Sequence, residues 1–384
     1  MRKSKTETVR VLDEYAFNGR SFREVLKRLD PTNIKILSTM AKVGPRNLLE
    51  VSRSTGIPFT TVYHRIAQIE SHAQQIAHLL PSVAQLGMTR LMVLVAAKPG
   101  LEDIVTKALK IPNYWRTVER CEGAFTHHSI QIIPNKFLNE FREYISTMQA
   151  KNLIKSFRIV RTGNTYPIFP DFTSYQSGSG EWVFDWNGWL EAVKSGDPIE
   201  TVEDPRIDPV AVDKTDLEIV SYLEENGRMK FTDIAEKINT SPQTVKYRYD
   251  SKLVPGGVVG TFDFVVLPYP AEISSWHEFM LEFPDTTSMN RFFSVAKRLF
   301  FIHHVAKALR RNALLIRTRI VGSQVDNMFT FFAEMVNAGQ LTTFSAVRLN
   351  MGSRVKQTIS TELFDPVFGW QWDVYKNLLE LNKL

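Results

Sequence analysis

Apolar residues recur at helical spacing in two separate groups, each made of three short segments. In the clearer group, Leu217, Val220 and Leu223 mark a first helix, which Asn226-Gly227 ends. A second helix is predicted from Thr232 to Ile238. Three short helices in succession are typical of a small helical domain.

The third helix of this group is predicted to run from Gln243 to Leu253, with Ser241 as its N-cap and Pro242 at its first position. After it, Pro255-Gly256-Gly257 makes a turn into the apolar run at Val258, where a wing would lie. This order predicts a winged helix-turn-helix domain. Three residues form the inner face of the third helix: Val245, Tyr249 and Leu253.

The earlier group is a looser version of the same pattern. Pro58 stands where Ser241 stands in the later group, so the capping hydroxyl is lost. The segment from Ser71 to Gln85 reads as an added helix. The inner faces of the three helices are marked by Ile34, Leu37 and Ala41, by Leu48 and Val51, and by Val62, Ile66 and Ile69.

A strand-helix-strand-strand-helix-strand pattern follows each helical group and predicts a ferredoxin-like sandwich. The first is predicted as strands Leu91–Ala97, Trp115–Cys121, Thr126–Ile133 and Ser156–Arg161, with helices Leu101–Leu109 and Phe137–Ala150. The second is predicted as strands Thr261–Leu267, Phe300–Leu309, Leu314–Val321 and Thr343–Leu349, with helices Ser274–Lys297 and Val325–Val336.

The second half of the chain aligns with the first, which predicts an internal duplication. Thr61-Val62 falls on Thr244-Val245, and Arg65 falls on Arg248. A tryptophan-rich segment closes each half, with Asp185 and Asp373 as predicted helix caps. The fold class is therefore α+β, and its predicted parts are 1–28 (extension), 29–87 (winged helix 1), 88–193 (ferredoxin-like 1), 194–211 (linker), 212–260 (winged helix 2) and 261–384 (ferredoxin-like 2).

Composition adds little to this picture. The 384 residues carry 47 Lys and Arg against 41 Asp and Glu, so the net charge of +6 favours anionic partners only mildly. The single cysteine, Cys121, excludes a disulfide framework and a cysteine-based zinc cluster. Without an apolar run of membrane-spanning length or a signal peptide, the protein is expected in the cytoplasm.

The later helical group resembles the DNA-binding module of the Lrp/AsnC (feast/famine) family of bacterial and archaeal transcription regulators. The resemblance rests on Val212 to Asp216, on Ser241 to Val245 and on Gly257 to Gly260. It implies DNA binding by the helical domain and dimerisation through the ferredoxin-like domain. One chain with two modules would present two recognition helices about 34 Å apart, one DNA turn, as a monomeric pseudo-dimer or within a homodimer.

Family members often bind an amino acid or a similar effector through a glycine followed by an acidic residue. Here the corresponding loop is Glu122-Gly123-Ala124-Phe125 in the first copy, with the acid displaced, and Arg311-Asn312-Ala313 in the second. These departures argue against an effector at this loop. No cofactor is predicted.

The predicted DNA-binding residues lie on the outer faces of the two recognition helices, and the alternative is an ordinary solvated helix face. Arg65 and Arg248 are either phosphate contacts or structural ion pairs with an acid of helix one. The residues are Ser241, Gln243, Thr244, Lys246, Tyr247 and Arg248 in the second copy, and Thr60, Thr61, Tyr63, His64 and Arg65 in the first.

A basic stretch near the end of the chain predicts either a solvated sheet face or an additional surface for anions or the DNA backbone. Arg317 and Arg319 project from one face of a strand, and Arg310 and Arg311 lie in the loop before it. The tryptophans are either a stacking platform or, as we expect, a hydrophobic closure of each half.

Two histidine pairs, His127-His128 and His303-His304, raise the question of metal or acid-base chemistry. Adjacent strand residues point to opposite faces, so neither pair is expected to chelate one ion. His128 shares a face with Ile130 and Ile132 and reads as a packed core histidine. No metal site and no catalytic residue are predicted.

The sequence therefore predicts a transcriptional regulator that binds specific double-stranded DNA and is not an enzyme. The rival is an enzyme on the same scaffold, because siroheme decarboxylases resemble Lrp proteins in fold while performing tetrapyrrole chemistry. A third possibility is that the copy with Pro58 has lost DNA binding and serves as a protein-interaction module.

Overall fold

The computed structural model describes residues 30–72, 77–176, 181–196, 200–206, 208–264, 269 and 273–384. The predicted extension 1–28 lies outside these residues. Within the described part of the chain, no helix has the length and apolar character needed to cross a membrane.

Three helices open the described chain. The Asp30 carboxylate caps the first helix by accepting the Asn33 N–H, and Gly56 ends the second in a left-handed conformation (φ 70°). Ile36, Val51 and Val62 are buried in the core of this triplet. The helices are α1 (Pro31–Val43), α2 (Leu48–Thr55) and α3 (Phe59–His72).

A second triplet has stronger caps. Asp213 and Asp216 form a reciprocal capping box, and the Ser241 hydroxyl accepts the Thr244 N–H at 3.1 Å. The last helix is shorter than expected because the chain widens into a π-helical turn over Tyr249–Leu253. The helices are α7 (Lys214–Glu225), α8 (Phe231–Lys237) and α9 (Pro242–Arg248).

Two short strands link the helical triplets to the rest and correct the sequence reading. The strands β1 (Ala77–Leu80) and β8 (Thr261–Phe264) pair antiparallel with each other. The added helix expected over Ser71 to Gln85 is therefore wrong, and β8 is not the first strand of the second ferredoxin-like sheet.

That first strand is β9 (Ser274–Glu282), where a helix was expected. Trp276 and Met280 face one core while Phe279 and Leu281 face another. Because both faces of the strand are buried, apolar residues occur on both, and the alternation that identifies a strand is hidden.

The two ferredoxin-like units join into one closed barrel with the strand order β10-β11-β9-β12-β3-β4-β2-β5. In the first unit the strands are β2 (Met88–Ala97), β3 (Trp115–Glu122), β4 (His127–Pro134) and β5 (Ile154–Pro167), with helices α4 (Glu102–Ala108) and α5 (Leu138–Ala150). In the second unit β9 is followed by β10 (Ile302–Ala308), β11 (Ala313–Val321) and β12 (Thr343–Lys356), with helices α10 (Thr286–Ala296) and α11 (Val325–Asn337).

Two antiparallel seams close the barrel. At one seam β5 pairs with β10, where Tyr166 lies opposite Val305. At the other, β12 pairs with β3, where Leu349 lies opposite Cys121. The last strand of each unit therefore completes the sheet of the other.

The tryptophan segments extend this exchange. Trp182 stacks on Phe300 of the second unit with ring centroids 4.4 Å apart, whereas Trp372 stacks on Tyr114 of the first unit at 5.9 Å. These contacts agree with hydrophobic closure, although each segment covers the opposite half. The segments comprise β6 (Tyr175–Gln176), β7 (Glu181–Trp182) and α6 (Trp186–Ser195), and β13 (Phe364–Asp365), β14 (Gly369–Trp370) and α12 (Val374–Asn382), with Asp185 and Asp373 as the helix caps.

Candidate functional site

The outer face of α9 is open to solvent. Gln243, Lys246 and Tyr247 are exposed, and Tyr247 is 70% exposed. Thr244 is half-buried, while Val245 on the opposite side packs into the core. The Lys246 ammonium is paired with Asp250 one turn later. This face offers amide, phenol and ammonium groups at a position where a groove could receive them.

The outer face of α3 has a different chemistry. Thr60, Tyr63 and His64 are exposed and Thr61 is half-buried. The Tyr63 ring lies 6.4 Å from Phe59 and 5.9 Å from His64, between ring centroids. Aromatic rings dominate here, where α9 has polar and charged groups.

Arg65 and Arg248 are structural in both triplets. Arg65 pairs with Asp30 at the start of α1. The Arg248 guanidinium lies 2.7 Å from Asp213 Oδ2 and 2.8 Å from Asp216 Oδ1 at the start of α7. Each arginine ties the recognition helix to the first helix of its own triplet, so we leave both out of the proposed DNA surface.

A reciprocal arginine contact, absent from the sequence reading, holds the two triplets together. Arg46 donates to the Gly227 and Met229 carbonyls at 3.1 and 2.9 Å. Arg228 donates to the Pro45 carbonyl at 2.8 Å. The two arginines occupy the same loop, between the first and second helices, of their triplets. That shared position is the signal from which the contact could have been suspected.

Side chains of the second triplet strengthen this contact. The Arg46 guanidinium lies 4.2 Å above the centroid of the Phe231 ring, a cation-π geometry. Arg228 also donates to Glu70 of α3 at 2.6 Å. The two recognition helices therefore belong to units in direct contact.

The expected anion surface on the last sheet does not form from Arg317 and Arg319. These side chains are 6% and 1% exposed because the sheet face that carries them is the interior of the closed barrel. Arg319 donates to Ser274 Oγ at 3.0 Å and to the Tyr269 carbonyl. Arg310 and Arg311 remain in an exposed loop, where Arg311 pairs with Glu282.

A charged layer crosses the barrel interior. Arg317 on β11 lies 3.0 Å from Glu119 on β3 and 2.8 Å from Glu278 on β9. Arg354 lies 3.1 Å from Glu119, and His128 Nδ1 lies 2.9 Å from the same carboxylate. His128 is buried as predicted, but its neighbours are charged groups as well as apolar ones.

The charges in this layer shift the pKa values of its members. Burial alone would raise the pKa of Glu119, yet Arg317 and Arg354 hold that pKa well below its usual range. Burial, followed by the charge of Arg317, lowers the pKa of Arg90 on β2 to about 10. Glu119 is therefore ionised and Arg90 still cationic at neutral pH.

The two histidine pairs differ in geometry. His127 turns away from His128 towards α4, where its Nε2 lies 3.0 Å from the Glu102 carbonyl. His303 and His304, in contrast, have ring centroids 5.0 Å apart and share one side of β10. The premise that adjacent histidines point to opposite faces does not hold for this second pair, because the pairing of β10 shifts register between Ile302 and His304.

Comparisons with known proteins place this geometry in context. A family profile for the AsnC-type helix-turn-helix domain matches residues 212–251. No curated protein matches the chain. The siroheme decarboxylase NirDL has a crystal structure that matches with a TM-score of 0.54 and 10% identity, covering 91% of this chain and 98% of that one. NirDL in complex with an iron-uroporphyrin III analogue gives the same values.

AsnC of E. coli also matches, with 13% identity and a TM-score of 0.28, over 39% of this chain and 98% of that chain. The α+β fold with helix-turn-helix units and ferredoxin-like sheets is confirmed, as is an AsnC-type helix-turn-helix. At such low identity the likeness to NirDL shows the fold. Because the structures matching nearly the whole chain are of an enzyme, the prediction that this protein is not an enzyme is contradicted, and we withdraw it.

The charged layer predicts a specific dependence of stability on pH. The pKa of Glu119 is lowered in the folded state, so its stabilisation is complete above about pH 4.5, the ordinary value, and is lost as pH falls through the folded pKa. We expect Glu119→Gln to lower the free energy of unfolding at pH 7 by on the order of 3 kcal/mol. The variant should also lose less stability than the wild type on acidification. Urea unfolding between about pH 7 and pH 3 measures both effects.

Glu122→Gln is the matched control, because this neighbouring carboxylate is exposed and pairs with the exposed Arg348 at 3.3 Å. It should follow the wild-type curve. Parallel curves for wild type and Glu119→Gln would show that the layer does not set the acid stability.

Proposed function

We propose that the protein is a transcriptional regulator that binds specific double-stranded DNA through two helix-turn-helix units of one chain, which arose by duplication and act as an intramolecular pseudo-dimer. The observation that carries the proposal is the AsnC-type helix-turn-helix at residues 212–251, whose third helix presents an exposed polar face.

The chemistry of α9 suits direct reading of base edges. The Gln243 amide can form two hydrogen bonds with the edge of one adenine. Lys246 can neutralise a phosphate or contact guanine. Ser241 has already used its hydroxyl on the Thr244 N–H, so it positions the helix. Tyr247 adds a long, exposed amphipathic side chain.

The reciprocal contact of Arg46 and Arg228 supports the pseudo-dimer. Two recognition helices that bind successive half-sites must keep a fixed separation of about one DNA turn. The bonds from each arginine to the backbone of the other triplet restrain that separation before DNA binds. Binding at the second half-site then needs less ordering than it would with two freely moving units.

The two half-sites are not expected to contribute equally. The sequence of α3 contains one Arg and no Lys, and this residue, Arg65, pairs with Asp30. The aromatic face of α3 suits a protein contact as well as a DNA groove. A protein contact is the alternative role for this copy, the one with Pro58. We therefore assign most of the base reading to α9.

Binding to duplex DNA should be strongly salt-dependent. If the two units neutralise several phosphates, affinity is expected to fall on the order of 10³-fold between 50 and 200 mM salt. Lys246→Ala should weaken binding to all sequences alike, whereas Gln243→Ala should remove about 1–3 kcal/mol of discrimination at particular base pairs. Fluorescence anisotropy with genomic fragments selected by the protein measures these effects.

Lys151→Ala, at an exposed position beyond the end of α5, is the control and should bind as the wild type does. Binding that is absent or insensitive to salt would reject DNA recognition.

A second DNA experiment tests the pseudo-dimer. Arg46→Met combined with Arg228→Met removes the bonds between the triplets while leaving both recognition faces intact. We expect the preference for paired half-sites over a single half-site to fall on the order of 10-fold or more. Arg53→Met, an exposed arginine of α2, is the matched control. An unchanged preference in the double variant, or none in the wild type, would show that the units do not act as a pair.

The barrel interior favours a second candidate function, an enzyme acting on a polycarboxylate tetrapyrrole. NirDL, which shares the fold over nearly the whole chain, is a siroheme decarboxylase. The charged layer contains the types of group needed to bind carboxylates, since Arg90 and Arg317 are cationic and His128 lies among them. Glu119 and Glu278 already neutralise Arg317, so Arg90 is the arginine we would assign to a substrate carboxylate.

Absorbance titration with iron uroporphyrin III tests this candidate. Binding in the barrel should shift the main visible band of the porphyrin, and Arg90→Gln should weaken that binding by at least about 10-fold, in line with loss of a charge-assisted bond. The exposed Arg142→Gln on α5 is the control. No shift in the wild type, or an equal shift in Arg90→Gln, would exclude the assignment.

A further inference from the structure

Three side chains outside the DNA-binding surface converge where linker strand β8 meets barrel strand β10. Asp263, His303 and His304 each offer one ligand atom, and these atoms lie within 4.8 Å of one another. His304 Nε2 is 2.9 Å from Asp263 Oδ2, and His303 Nδ1 is 4.0 Å from Asp263 Oδ1. Two strands that are distant in the chain thus bring a carboxylate and two imidazoles to one point.

An irregularity in β10 makes this convergence possible. Ile302 lies opposite Thr318 of β11, and His304 lies opposite Arg317, the residue next to Thr318. Two steps along β10 thus match one step along β11, so His303 is the extra residue of a bulge. The His303 carbonyl is fixed by the Ile168 N–H at 2.8 Å. In a regular strand the two imidazoles would point to opposite faces, whereas here both reach Asp263.

The donor groups suit coordination. An aspartate carboxylate and two histidine imidazoles are groups that bind divalent metal ions in proteins.

The hydrogen bonding of His303 also favours a bound ligand. Its side chain is 10% exposed, and among the described residues neither of its ring nitrogens has a hydrogen-bond partner. A buried polar group in this condition is destabilising, because it has lost its hydrogen bonds to water. A ligand bound between His303 and Asp263 would remove this cost, and a cation is the ligand that a carboxylate and two imidazole lone pairs favour.

We propose that Asp263, His303 and His304 bind one divalent transition-metal ion of the Zn²⁺ or Fe²⁺ class. Two histidines and one carboxylate with open positions remaining are a common ligand set for both ions. Ligand atoms within 4.8 Å need only small side-chain movements to surround an ion at about 2.0–2.2 Å. The positive charges of Arg319 and Arg317 near His303 oppose the binding of a cation.

The site lies on the route from the DNA-binding units to the barrel. Asp263 is directly opposite His78 in the β1–β8 ladder. The His78 ring nitrogen Nδ1 lies 3.1 and 3.0 Å from the Glu224 and Glu225 carbonyls at the end of α7. The proposed ion would therefore join the barrel to the linker strands that carry both helical triplets.

Metal titration of the full chain without an affinity tag tests the proposal. Calorimetry with Zn²⁺ should give one ion per chain, and Co²⁺ should give the visible absorption of a site with nitrogen and oxygen ligands. Asp263→Asn, His303→Ala and His304→Ala should each weaken Zn²⁺ binding on the order of 100-fold or more, beyond the 10- to 100-fold typical of residues that only orient ligands. His277→Ala is the matched control, because this buried histidine of β9 faces Phe329 of α11.

Circular dichroism identifies the variants that remain folded. His304 is the more exposed of the two histidines, with 22% of its side chain open, so His304→Ala decides the case should the other variants unfold. No stoichiometric binding to the wild type, or Co²⁺ absorption that survives in folded His304→Ala, would overturn the proposal. Neither readout depends on DNA or tetrapyrrole binding.

Discussion

Backbone pairing at the two seams of the barrel, β5 with β10 and β12 with β3, is the constraint on which the rest of the structure depends. Closure removes the open edges that two separate four-stranded sheets would present. It also converts one face of each sheet into an interior, so Arg317 and Glu119, on strands that are not neighbours, meet across it. The bulge at His303 lies in the pairing of β10 with β11, next to the seam that β10 forms with β5.

Local patterns were enough to predict most of the elements. Asp185, Ser241 and Asp373 were predictable as caps because a cap depends on the next three residues alone. The strand Ser274–Glu282 was missed because burial on both faces hides its period, and the β1–β8 pair was missed because it joins residues from opposite halves. Sequence patterns specify which residues share a face, but distant pairing decides where that face lies.

The candidate sites, too, were predictable where local patterns determine them and were missed where pairing of distant residues does. The exposed faces of α3 and α9 were predictable, because helical periodicity separates Val62 and Val245 from their solvent-facing neighbours. Arg317 and Arg319 do share a face, as strand periodicity requires, yet only barrel closure determines that it is an interior. The Arg46–Gly227 bond and the approach of His304 to Asp263 join distant parts of the chain, so neither was accessible to local reasoning.

The exchange of closing strands also has a consequence for biosynthesis. As the chain leaves the ribosome, β3 and β5 are complete long before their partners, since β10 begins only at Ile302 and β12 at Thr343. The nascent first half thus holds two unpaired strand edges, and an aromatic surface around Tyr114 stays uncovered until Trp372 has been made. Two nascent chains that exchanged halves would satisfy the same edges. Late closure of the seams therefore makes domain-swapped pairing a competing outcome of folding.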